Sequence, residues 1–109
     1  MSIRVELVDL AEAVRARGPG YLMTAGNEGR PHTIHVSFTI EGTELRAPSG
    51  RSTGRNIEAN PKVALLWPPA SPDDYSLIVD GDATVETDGD HSVAVITATS
   101  AILHRPAAS

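Results

Sequence analysis

Apolar residues in the first 17 positions recur at helical spacing. Ile3, Leu7, Leu10 and Val14 form the stripe, and Val8 and Ala11 widen it. Arg4, Glu6, Asp9, Glu12 and Arg15 occupy much of the other side. The pattern predicts an amphipathic helix over 2–17, stopped by Gly18, Pro19 and Gly20. After that the period changes to two. Tyr21 to Ala25 reads as a short strand, and Gly26 to Gly29 carries the residues of a hairpin turn. The next run alternates cleanly. His32, Ile34, Val36, Phe38 and Ile40 point one way, and Thr33, His35, Ser37 and Thr39 the other. The second set is mostly small and hydroxylated, which suits a surface covered by solvent or by something flat and polar.

Glu41-Gly42 turns the chain into a strand over Thr43 to Ala47. Lys62 to Trp67 is mostly apolar without alternation and is expected to be buried on both faces. Tyr75 to Glu86 reads as a strand with a bulge or bend at Asp80-Gly81-Asp82. His91 to His104, rich in Val, Ile and Thr, is the last strand, and Arg105 to Ser109 is expected to fray. The sum is a mainly β fold with two helices. Six antiparallel strands with Gly-marked bends favour a small barrel over 20–104, in a single domain spanning 1–109.

Composition narrows the partners. A chain of 109 residues supports only a modest core, so a second copy is expected to help it as a homodimer. A net charge of −5, with nine Lys and Arg, argues against a nucleic-acid surface. There is no cysteine, which removes disulfides, thiolate chemistry and cysteine-bound metals. No signal peptide and no membrane span are expected, and the cytoplasm is the default location.

One stretch carries candidate chemistry. Ala47 to Pro61 reads as a tight turn opening into a short helix, with Ser52 as the expected N-cap and the helix ending near Ala59, ahead of Asn60-Pro61. Arg51 and Arg55 set two cations beside free helix amides, a combination that suits a phosphate; a solvated connection between strands is the plainer alternative. His32 and His35, three apart in a strand, face opposite ways and make a poor metal chelate. The Asp pairs fall at turns and bends, where Asp is common. Trp67, the only tryptophan, suits core or interface packing. No side chain stands out as catalytic. The set suits a bound phosphorylated cofactor that carries the reaction while the protein positions it.

Tyr21-Leu-Met-Thr-Ala-Gly-Asn-Glu-Gly-Arg-Pro-His32 resembles the first hairpin of the pyridoxamine 5'-phosphate oxidase-like, FMN-binding split-barrel family. Ser52-Thr-Gly-Arg-Asn-Ile-Glu-Ala-Asn-Pro-Lys-Val-Ala64 is similar to that family's helix and following strand. The resemblance implies a split β-barrel that dimerises, with FMN at the subunit interface and a small-molecule substrate. By position, Thr33, His35, Val36 and Ser37 would line the isoalloxazine ring. Ser49, Arg51, Ser52 and Thr53 would sit by the phosphate, with Arg55 and Asn56 bracing the helix, and Trp67 would reach the ring from the partner subunit. Many members carry Lys where this chain has Thr53. The resemblance therefore allows a flavin-dependent oxidoreductase, a deazaflavin-dependent reductase, or a non-catalytic binder or sensor.

Overall fold

The computed structural model describes residues 1–106. Eight strands make one antiparallel sheet: β1 (Ser2–Arg4), β2 (Gly20–Ala25), β3 (Pro31–Val36), β4 (Thr39–Glu41), β5 (Glu44–Pro48), β6 (Lys62–Trp67), β7 (Ser76–Asp88) and β8 (His91–His104). Helices α1 (Leu10–Arg15) and α2 (Arg51–Ala59) and one 3-10 turn (Leu7–Asp9) complete the described residues, which hold two strands more than the six expected because Ser2–Arg4 pairs as a strand and the run 32–40 is split. The hydrogen-bonded order is β3-β2-β6-β7-β8-β5-β4. Its two ends, β3 and β4, are joined by Ser37 and Phe38 alone. Two residues between strands hold Val36 and Thr39 within about 11 Å of each other, so the sheet must curl until its edges nearly meet. That is a barrel with one unzipped seam, the split-barrel class.

The helix expected over 2–17 is largely absent. Ser2–Arg4 instead pair with Ile102–His104, and the helix proper is confined to Leu10–Arg15. The cause lies in β8. Its far half has β7 on one side, while β5 covers only Val93 to Thr97 on the other. The free edge beyond needs partners for its backbone groups, and the first residues of the chain supply them. Met1 and Arg105 close that ladder, the Arg105 amide donating to the Met1 carbonyl at 3.0 Å. The fraying expected from Arg105 therefore does not begin there; positions 107–109 lie outside the described residues.

Leu10 and Val14 of α1 cover one end of the barrel, beside the buried Ile40. The Arg15 guanidinium donates to the Ile40 carbonyl at 2.8 Å. Leu22, Leu45, Leu65, Leu77, Val79 and Ile96 fill the interior with no exposed surface; burying each such side chain contributes roughly 1.5–3 kcal/mol. β6 proves to alternate rather than being buried on both faces: Val63, Leu65 and Trp67 are inside, while Ala64 and Leu66 are half-buried outside.

The bend at Gly81 is present. The β7–β8 register shifts between Asp80 and Gly81, and the extra residue, Thr99, is on β8. Thr99 donates its hydroxyl to the Asp80 carbonyl at 3.1 Å. A Cβ at position 81 would lie 2.8 Å from both Ile96 Cγ2 and the Thr97 carbonyl oxygen. Gly81→Ala is therefore expected to lower stability by about 1–3 kcal/mol, read as a shifted urea midpoint with an unchanged slope. No helix among the described residues is long and apolar enough to cross a membrane.

Candidate functional site

Helix α2 closes the barrel end opposite α1. Thr53, Gly54 and Ile57 form its buried face. Its N-cap is Gly50, extended at φ −80° and ψ 177°, with no side-chain cap bond; Ser52 lies inside the helix and is not the cap expected from the sequence. The first helical bond runs from the Gly54 amide to the Gly50 carbonyl at 2.9 Å, which leaves the amides at the start of the helix without helical acceptors. Asn60 ends the helix in extended backbone, as its place before Pro61 predicts.

Two elements meet at this end. The β2–β3 hairpin turns through Gly26–Gly29, with Gly29 at φ +75° and its amide bonded to the Gly26 carbonyl at 3.0 Å. Asn56 of α2 donates its amide N–H to the buried Thr24 hydroxyl at 3.0 Å. A Cβ on Gly26 would come within 2.7 Å of Asn56 Oδ1, so hairpin and helix are locked at close range. Between them lies an open hollow of about 520 Å³. The helix lines it with Ser52, Arg55, Asn56 and Ala59, which share one face; the hairpin lines it with residues that include Asn27, Glu28, Arg30 and His32.

The nine basic side chains divide into two groups. Six are engaged by the protein itself: Arg4 with Glu6, Arg46 with Glu44 and Glu86, Lys62 with Asp82, and Arg15, Arg17 and Arg105 with backbone carbonyls. Bonding to Glu86 first and Glu44 second holds the Arg46 guanidinium above its ordinary pKa. Among the described residues, Arg30, Arg51 and Arg55 make no ion pair or side-chain hydrogen bond. All three sit on the hairpin and α2.

The expected ring-side residues lie around the edge strand. Thr33, His35 and Ser37 are exposed on the outer face, and Val36 is half-buried on the inner one. As the end of the hydrogen-bonded path, β3 keeps free backbone N–H and C=O groups along its outer edge. His35 packs against Tyr21 with ring centroids 4.8 Å apart, while His32 points to the opposite face.

The expected phosphate-side residues separate. Ser52 and Arg55 face the hollow. Arg51 is exposed beside it, and the Ser49 hydroxyl donates to the Gly50 carbonyl. Thr53 is only 2% exposed and faces the interior. Trp67 corrects the expectation that it reaches a ring across an interface. It has no exposed surface, donates its indole N–H to the Gly18 carbonyl at 3.0 Å and packs against Phe38 at 5.1 Å. Sequence reasoning missed Arg30 and His32 as part of this corner. Their position just past the hairpin glycine was the available signal.

Comparison with known proteins agrees with this architecture. An uncharacterized protein of Mycobacterium bovis is 34% identical over 96% of this chain and 83% of its own length. A solved FAD-binding protein of Mesorhizobium loti superposes with a TM-score of 0.75 at 15% identity, covering 95% of this chain and 99% of that one. A solved F420 reductase gives a TM-score of 0.64 at 24% identity, over 78% of this chain and 89% of that one. The family model for pyridoxamine 5'-phosphate oxidase matches residues 9–106, and the chain belongs to that family.

Proposed function

We propose that this protein binds a phosphorylated flavin-type coenzyme, FMN in the first instance, between two copies of the chain, and uses it to oxidise or reduce a small molecule. The observation that carries the reading is the gathering of the three unengaged arginines at one corner of an acidic protein. Phosphate is the anion that such guanidinium groups, a serine hydroxyl and unpaired helix amides bind together. The ring would rest on Thr33, His35 and Ser37, its polar edge against the free backbone of β3. The ring-side surface and the hollow are on opposite faces of β3, about 10 Å apart along the strand between His35 and His32, so the sugar-alcohol chain would pass over the free edge of that strand. The bound coenzyme supplies the electron transfer; the chain's residues fix its tail, support its ring and limit access of water.

The outer face supports the dimer. Tyr21, Leu66, Ile78 and Ile102 are register neighbours across four strands, all half-buried, and the row continues to His35. An apolar row of this kind calls for a cover, and a cover on it would also wall in the ring-side surface. The chain exposes 6809 Å², above the roughly 5,800 Å² expected of a monomer of its mass.

A deazaflavin coenzyme is the second reading. It is favoured by the similarity to an F420 reductase and by the same anion corner. Fluorescence titration separates the cases. FMN is expected to bind more tightly than riboflavin, which lacks the phosphate, by roughly 10–100-fold, the worth of one or two charge-assisted hydrogen bonds. Preference for the deazaflavin coenzyme would select the second reading. No response to either coenzyme would overturn both.

A further inference from the structure

We infer that Arg30 on the hairpin and Arg55 on α2 are the two jaws of a phosphate-class anion clamp, so that the anion sits between hairpin and helix rather than beside Arg51. The inference rests on the proposed coenzyme reading but assigns a residue, Arg30, that the resemblance did not set beside the phosphate. Arg30 and Arg55 line the same hollow from separate elements. Neither has a partner among the described residues, although the chain carries fourteen acids and Glu28 lines that hollow too. Six of the other basic side chains each meet a carboxylate or a carbonyl, whereas these two arginines line a shared space without one. Ser52 adds a hydroxyl to the lining.

The frame is rigid in the required sense. The Asn56–Thr24 bond and the close approach of Gly26 fix the distance between the hairpin and α2, so the clamp is set before the ligand arrives. Thr53 cannot take part, because it is buried on the opposite side of the helix. Arg51, one turn before Arg55 on the same side of α2, does not line the hollow, so it is expected to hold the anion less directly than Arg55. Glu28 is the one acid lining the hollow and opposes an anion there.

The test uses the full-length chain with Arg30→Ala, Arg30→Lys, Arg51→Ala and Glu28→Gln, each checked for an unchanged circular dichroism spectrum. Arg30→Ala is expected to weaken FMN by roughly tenfold or more and to leave riboflavin unchanged. Arg30→Lys should recover part of the loss, Arg51→Ala should cost less than about threefold, and Glu28→Gln should tighten FMN. An Arg30→Ala variant that binds FMN like the parent, with the loss appearing in Arg51→Ala, overturns the clamp and leaves the coenzyme reading standing. If the parent ignores FMN and the deazaflavin coenzyme, the coenzyme reading fails and inorganic pyrophosphate decides the clamp. Amide shifts confined to residues 27–32 and 52–56, lost in Arg30→Ala, support it; no shifts there overturn it.

Discussion

Replacing Trp67 with Ala is expected to cost about 3–5 kcal/mol, the range for removing a buried aromatic side chain. A domain of this size has about 5–15 kcal/mol in total, so the variant should lose about a fifth or more of its stability and accumulate poorly. Three observations set the size of the effect. The indole has no exposed surface, its N–H is satisfied by the Gly18 carbonyl, and its ring meets Phe38 at the connection between β3 and β4. Removing it leaves a cavity where the two edges of the sheet approach, and leaves the Gly18 carbonyl without that donor. Urea unfolding followed by circular dichroism measures the loss; a decrease below about 1 kcal/mol would show that the neighbours collapse into the space. Trp67→Phe separates folding from ligand contact. It should lower stability by less and leave FMN affinity unchanged, because the side chain is sealed from any ligand.

What the sequence made legible follows from which signals are local. The alternation in 32–40 is local, and it marked Thr33, His35 and Ser37 correctly as exposed, although the single strand expected there breaks at Ser37-Phe38 into β3 and β4. The β-rich run 91–104 is local, and β8 has those bounds. The bend at Gly81 was readable because glycine in a strand has few other uses. The errors arose where a distant partner decided the outcome. Ile3 fits a helical stripe, and nothing near it reveals that β8 has an unfilled edge, so Ser2–Arg4 became a strand. Ser52 fits an N-cap, but α2 begins two residues earlier than that cap would allow, with Gly50 as the cap and Ser52 inside the helix. Arg51 and Arg55 looked equivalent in the sequence; they share a side of α2 one turn apart, and only Arg55 is far enough along the helix to line the hollow. Arg30 carries no periodic signal, and its place on the hollow shows only once the hairpin is seen against α2.

Leu66→Asp is expected to convert the proposed dimer to monomer and to weaken binding of the proposed coenzyme with it. Leu66 is at the centre of the outer row, between Tyr21 of β2 and Ile78 of β7. In the isolated chain it is half-buried on the surface, so an aspartate there meets water and the fold should persist. In a two-fold interface the same position is met by its symmetry mate's surface, and each subunit brings one carboxylate. Burying each without a partner costs several kcal/mol, so the pair should raise the dimer dissociation constant by at least roughly a thousandfold. Sedimentation equilibrium across a concentration series reads that change directly. FMN affinity should fall in parallel, because the row runs into His35 and the partner's cover over the ring would be lost. A variant that remains dimeric with intact FMN binding would move the interface elsewhere. One that becomes monomeric yet binds FMN as before would place the whole coenzyme site within a single chain, held by the α2 corner and β3 alone.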